Sequence, residues 1–219
     1  MSTSDLNASS SKPEIDLKEH WDKAYSKNPI EKLGWYETDL SPSLNLIASI
    51  GLAKDARIIN IGAGSTTLID ELLDMGFTNL IATDISSVAL KDLENRTGGS
   101  DYLECITDDI TRSEKIINIE NVDLWIDRAV LHFFVGEHDK NAYFDLLRSK
   151  IKDHAFVILA EFSLEGAERC SGLPVCRYSE ETLQKKLGSG FKLIKSFDYH
   201  YTMPSGDDRP YIYTLFQKV

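Results

Sequence analysis

The stretch IINIGAGSTTLIDELLDMGFTNLIATDIS, Ile58 to Ser86, constrains the chain more than any other. A short apolar run ends in Gly62-Ala63-Gly64, a helical pattern follows, and a second apolar run stops at Asp84. That order is strand, glycine turn, helix, strand, and a helical crossover of this kind joins parallel strands. Glycines between strand and helix permit a tight turn with the backbone close to a ligand. An acid at the end of the following strand can accept hydrogen bonds from the two hydroxyls of a ribose.

The alternation continues along the chain. YLECITDDI and VDLWIDRAVL read as a third and fourth strand, and HAFVILAEFS as a fifth, apolar through its middle like a strand covered on both faces. Helices are predicted over STTLIDELLDMG, SSVALKDLENRTG, NAYFDLLRSKI and SEETLQKKLG, the last capped by Ser179. Ahead of the first strand, LKEHWDKAYSK sets Leu17, Trp21 and Tyr25 on one helical face. SPSLNLIASIGL predicts a helix with Ser41 as cap, Pro42 at its first position and Gly51 as its stop. FKLIKSFDYHY and RPYIYTLFQKV alternate at period two around TMPSGDD, the pattern of a terminal β-hairpin. The predicted fold class is therefore α/β: a Rossmann-like, seven-stranded, mostly parallel sheet with an antiparallel C-terminal hairpin and helices on both faces. Residues 1–13, Ser-rich and poor in apolar side chains, read as a disordered tail. Residues 14–219 read as a single domain, with 14–55 a helical lid segment and 56–219 the core.

Charge and cysteine usage exclude some functions. The formal net charge of -11 argues against a broad phosphate-binding surface, so no nucleic-acid partner is expected. No apolar run approaches the roughly 20 residues of a membrane span, and the first residues lack a signal-peptide pattern, so no membrane is expected and the chain reads as cytoplasmic. Cys105, Cys170 and Cys176 form an odd, sparse set that suits reduced thiols. No histidine or cysteine cluster has zinc-ligand spacing, so no metal is expected, and nothing demands more than a monomer or weak dimer.

What the glycine turn holds can be narrowed. Gly62 and Gly64 match only the first half of the dinucleotide pattern G-x-G-x-x-G, because Thr67 stands where the third small residue belongs. The pair Asp108-Asp109 ends the third strand, where a carboxylate can receive an adenine amino group, and Asp127 ends the fourth. In an open α/β sheet ligands bind beyond the carboxyl ends of the strands, where these groups converge. Adenosine without a pyrophosphate fits them, and a methylsulfonium donor is then the expected ligand.

These residues carry a resemblance to the class I S-adenosylmethionine-dependent methyltransferases, over about Lys18 to Val219. IINIGAGS resembles the family's glycine motif, IATDIS its ribose-binding acid, TDDIT its adenine-side acid and LWIDRAVLHF the segment after the fourth strand. HWDKAY, WYE, DRAVLHF, the CSGLPV loop with RYS after it, and the hairpin end resemble a subgroup of small bacterial methyltransferases of uncertain substrate. Asn60 departs from the pattern, standing where the family more often has an acid. The resemblance implies that Asn60, Gly62, Ala63 and Gly64 meet the amino-acid part and ribose of S-adenosylmethionine. It also implies that Asp84 holds the ribose, that Ile85, Asp109 and Ile110 surround the adenine, and that Asp127 and Arg128 border the sulfonium. Trp21, Tyr25, Trp35 and Tyr36 would fold over the donor as a lid, or else pack on the sheet's flank.

Methyl transfer from sulfur to a nucleophile is an in-line displacement, so alignment and a dry site matter most. An acceptor that sheds its proton early needs a general base. His132 and Glu161 are candidates, which also read as an ordinary histidine starting the next helix and as an edge-of-sheet ion pair; Asp127 reads as a site residue, in catalysis or in donor positioning alone. Cys170 lies in a loop suited to one wall of the acceptor pocket, and Cys170 with Cys176 can hold a soft acceptor such as arsenite or simply pack that loop. The expected function is methyl transfer to a small molecule or a protein side chain, leaving S-adenosylhomocysteine. The alternatives are a non-catalytic donor-binding module and a nicotinamide-dependent oxidoreductase.

Overall fold

A computed structural model describes residues 15–27, 29–64 and 66–219, so the expected tail at 1–13 lies outside the described residues. Five strands of the sheet are parallel: β1 (Ile58–Ile61), β2 (Leu80–Asp84), β3 (Leu103–Thr107), β4 (Val122–Arg128) and β5 (Ile151–Phe162). A two-stranded loop hairpin follows, β6 (Arg169–Cys170) with β7 (Leu173–Pro174), and then the terminal pair β8 (Phe191–Thr202) and β9 (Asp208–Lys218). The order across the seven-stranded sheet is β3-β2-β1-β4-β5-β9-β8, with β9 antiparallel to both its neighbours. The order reverses direction between β1 and β4, the place where an α/β sheet opens a crevice at its strand ends.

Burial follows from position in the sheet. Every residue of β1 and β2 is buried, while the edge strand β3 is only partly covered. One face carries α2 (Ser41–Ser49), α3 (Leu68–Asp74) and α4 (Ser87–Arg96), packed through residues such as Leu46, Ile69 and Leu93. The other carries α5 (Glu137–Lys150) and α6 (Glu180–Leu187), packed on Trp125 through Tyr143, Phe144 and Leu183. The first helix, α1 (Leu17–Lys27), contributes no fully buried residue and lies at the carboxyl edge of the sheet.

The predicted α/β architecture, sheet and hairpin stand in the structure, with local corrections. Ser41 is inside α2, and Leu40 holds the cap position; the Asp39 carboxylate accepts from Ser41 N instead (2.9 Å), because an acid two residues ahead reaches a first-turn amide. α5 starts four residues before Asn141, since Glu137 and Asp139 suit a helix N-terminus electrostatically. The fourth strand stops at Arg128 and not at Leu131, because Ala129 turns the chain with φ of 69°.

Candidate functional site

A cavity of about 390 Å³ opens at the carboxyl ends of β1, β2 and β4, a size suited to a cofactor-sized ligand. Asn60, Gly62, Ala63, Gly64, Asp84, Ile85, Asp109, Ile110 and Arg128 line it, as do Trp21, Tyr25, Trp35, Tyr36, His132 and Cys170. Asp127 and Glu161 are absent from that lining.

The glycine turn is built by sterics. Gly62 and Gly64 have φ of 59° and 53°, a region costly for residues with a Cβ. A Cβ on Gly62 would meet Val130 Cγ2 at 2.0 Å, and one on Gly64 would meet the Tyr25 hydroxyl at 2.4 Å. Asp84 ties the turn to β2: its Oδ2 accepts from Gly64 N (2.9 Å) and its Oδ1 from Ser86 N (2.8 Å). Burial, opposed by those two amides, raises its pKa from 3.8 to about 6. Tyr25, also pushed up by burial and by the Asp84 charge, sets its hydroxyl over Gly64. Ser86 caps α4 by accepting from Ala89 N and donates to Asp22 of α1 (2.7 Å), which pins the first helix beside Asp84.

The two acids after β3 do different work. Asp108 accepts from Ser113 Oγ and from the amides of Glu114, Lys115 and Ile116, which hold its carboxyl below the usual range against the opposing effect of burial. It is spent on folding its own loop. Asp109 accepts from Thr111 N and Oγ1 through Oδ1 alone and faces the cavity next to Ile110.

Arg128 reaches across the sheet end. It pairs with Glu37 (2.8 Å), donates to the Tyr213 hydroxyl (3.2 Å) and the Trp35 carbonyl (3.2 Å), and sits 4.8 Å from the ring centroids of both Tyr201 and Tyr211. This guanidinium fastens the segment before α2 onto the sheet. Sequence reasoning missed Glu37, whose role depends on an arginine 91 positions away and leaves no local pattern. Above Arg128, Trp21, Tyr25, Trp35 and Phe133 form an edge-on aromatic cluster, with Trp21–Trp35 and Trp21–Phe133 centroids 5.2 and 5.0 Å apart.

Asp127 is expected at the sulfonium, yet its carboxylate points into the opposite face of the sheet. It is fully buried, accepting from Val130 N (3.0 Å) and from the Tyr143 hydroxyl (2.7 Å), which itself accepts from Trp125 Nε1. The cause is strand alternation: Asp127 shares a face with Trp125. Glu161 lies beneath the cavity too, and its Oε2 stands 2.9 Å from His132 Nδ1 and accepts from His132 N (3.1 Å). Burial lifts Asp127 well above the usual carboxylate range, and the Glu161 charge adds to that; Glu161 is also lifted by burial but opposed by the His132 amide.

His132 is fully buried, stacks on Phe162 (4.4 Å between centroids) and is held below its usual pKa by burial, hence neutral. The Cys170 thiol lies beside it; burial opposes ionisation there, but His132 and Ser171 outweigh it and hold the thiol below its usual range. Cys176 does not share the cavity, since its Sγ is turned to the Phe134 carbonyl, so the two cysteines form no common thiolate site. Ala129 was also unforeseen. Its strained backbone swings Val130 against Gly62 and His132 against Glu161.

No family model matches the chain. EEF1A lysine methyltransferase 2 of Danio rerio is 23% identical over 197 residues, 83% of this chain and 77% of that protein. The eEF1A lysine and N-terminal methyltransferase of Mus musculus is 26% identical over 88 residues, 40% of this chain, and the match spans only 12% of the mouse protein. An S-adenosylmethionine-dependent methyltransferase from Anabaena variabilis is similar in structure, with a TM-score of 0.75 at 13% identity over 95% of this chain and 98% of that one. The N-methyltransferase NodS from Bradyrhizobium japonicum, solved with S-adenosyl-L-homocysteine, has a TM-score of 0.68 at 12% identity over 93% and 99% of the two chains. Among the described residues no helix is long and apolar enough to cross a membrane. The strand order, the cavity at its switch point and these likenesses agree: the chain has the fold of the class I S-adenosylmethionine-dependent methyltransferases.

Proposed function

We propose that this chain is an S-adenosylmethionine-dependent methyltransferase whose donor and acceptor meet in the cavity above β1, β2 and β4. The observation that carries the reading is Asp84, a buried strand-end carboxylate bonded to the glycine turn and facing a cofactor-sized cavity. The residues present fit the donor. Gly62 and Gly64 leave no room for side chains of their own, and Asp84 offers an acceptor for paired hydroxyls. Asn60, Gly62, Ala63 and Gly64 would hold the amino-acid part and ribose, with Ile85, Asp109 and Ile110 around the adenine. Bound S-adenosylmethionine would supply an electrophilic methyl group on a sulfonium.

The chain's own groups prepare the other half of the reaction. Trp21, Trp35 and Phe133 exclude water as a lid, which strengthens every electrostatic contact inside. His132, neutral and backed by Glu161, accepts the proton that the acceptor releases, while Asp127 supports the floor through Val130 and Tyr143. Arg128, neutralised by Glu37, positions the lid rather than the sulfonium. A dinucleotide fits less well, because Asp70 and Glu71 occupy the first turn of α3, where a pyrophosphate would sit.

Calorimetric titration of the chain with S-adenosylhomocysteine, beside a titration with NADH, tests this reading. Saturable binding of the first and none of the second is expected. Binding of NADH alone would overturn it.

A further inference from the structure

Beside Cys170 and His132 the cavity is lined by two arginines that no described carboxylate pairs with. Arg209, at the start of β9, and Arg169, on β6, both line it. Arg169 donates to the Gly172 carbonyl and Arg209 to the Asp208 carbonyl (3.2 Å), both neutral acceptors. Among the described residues neither has a carboxylate within ion-pairing distance, although the chain has 35 acidic residues against 24 basic ones. Of the four acids that line the cavity, Glu37 pairs with Arg128, Asp108 folds its own loop, Asp84 holds the glycine turn and Asp109 accepts from Thr111 next to Ile110; none of them is within ion-pairing distance of Arg209 or Arg169. Arg209 pairs across the hairpin with Tyr201 and lies two residues from Tyr211, the rings that flank Arg128. It also lies close enough to Cys170 to favour its thiolate, which sets Arg209 on the His132 side of the cavity.

We propose that the methyl acceptor is a small organic anion, with a carboxylate or phosphate held by Arg209 and Arg169 and an apolar body enclosed by Trp21, Trp35, Phe133 and Tyr211. This rests on the methyltransferase reading and narrows it. Guanidinium groups bind planar or tetrahedral oxyanions through paired N–H donors, so an unpaired arginine beside an aromatic wall selects such a group. The same two cations repel a lysine ammonium, a penalty imposed on the wrong acceptor by charge. Acceptor choice is then set by the β6–β7 loop and the terminal hairpin. The anion's protic group gives its proton to His132, and its lone pair forms the new bond to the methyl carbon as the carbon–sulfur bond breaks, leaving a neutral thioether.

The test uses the chain saturated with S-adenosylhomocysteine and three probes: benzoate, phenyl phosphate and benzylamine. One or both anions are expected to bind more tightly than benzylamine, and which anion binds better separates a carboxylate from a phosphate acceptor. Arg209→Gln and Arg169→Gln are expected to weaken the better anion, Arg209→Gln by about tenfold, while the affinity for S-adenosylhomocysteine stays unchanged. Retained affinity for S-adenosylhomocysteine also shows that the variants are folded. Benzylamine binding as tightly as the anions, absence of anion binding, or anion binding untouched by both substitutions would overturn the proposal. Failure of the wild type to bind S-adenosylhomocysteine would instead remove the methyltransferase reading beneath it.

Discussion

The part of the cavity proposed for the donor and the part proposed for the acceptor are built in opposite ways. The donor half comes from consecutive strand ends: Gly62 and Gly64 after β1, Asp84 at the end of β2, Asp109 after β3. Each is fixed by backbone geometry within a few residues, and Asp84 locks turn and strand together. The acceptor half is gathered from His132 after β4, with Glu161 of β5 beneath it, and from Cys170 on β6, Arg209 on β9 and the aromatic residues of α1 and the segment after it. Its members meet only because the sheet and its hairpin bring distant segments together. A binding function written into one strand–turn–helix unit can stay fixed while the surrounding loops change what is methylated.

The comparison predicts separable effects, the largest on chemistry. His132→Asn is expected to lower methyl transfer to any accepted substrate by about 100-fold or more while leaving S-adenosylhomocysteine affinity intact. Parallel loss of donor affinity would show that the two halves are not independent. Gly62→Ala attacks the donor half through sterics: a Cβ 2.0 Å from Val130 Cγ2 at φ of 59° should destabilise the chain by about 2–3 kcal/mol in chemical denaturation. Adding Val130→Ala should recover part of that loss, and no recovery would leave the backbone conformation as the whole cause.

The pH dependence is smaller and has two signs. Asp84 titrates at about 6 in the folded chain against an ordinary 3.8, so the folded state holds this proton more tightly than the unfolded state. Its stabilising contribution is complete below about pH 4 and is lost as pH rises through about 6. Donor binding runs the other way, because ribose hydroxyls need the ionised carboxylate. Affinity for S-adenosylhomocysteine should therefore rise as pH passes upward through about 6, measured on either side of that value. A pH-independent affinity would remove Asp84 from the ribose contact. Least of all, Asp22→Asn should loosen α1 from Ser86 at a cost of less than about 1 kcal/mol, visible as altered Trp21 and Trp35 fluorescence.

How much was legible in the sequence follows the same division. The strand alternation, the period-two hairpin, the Ser179 cap, and the convergence of Gly62, Gly64, Asp84 and Asp109 could all be read from local pattern. Asp127 shows the limit. Its place at a strand end was readable, but which face it points to depends on strand alternation against Trp125 and on Tyr143 from α5. Glu37 was hidden because its meaning rests on Arg128, and Arg209 because nothing near it marks a hairpin residue as part of a cavity. The β6–β7 hairpin, two residues per strand, is too short for any period to appear.

The most direct measurement is calorimetric titration with S-adenosylhomocysteine of the wild type, Asp84→Asn and His132→Asn side by side. The account predicts saturable binding by wild type and His132→Asn, and an affinity about a hundredfold weaker in Asp84→Asn. Equal binding by Asp84→Asn and wild type, or no binding by wild type, would contradict it.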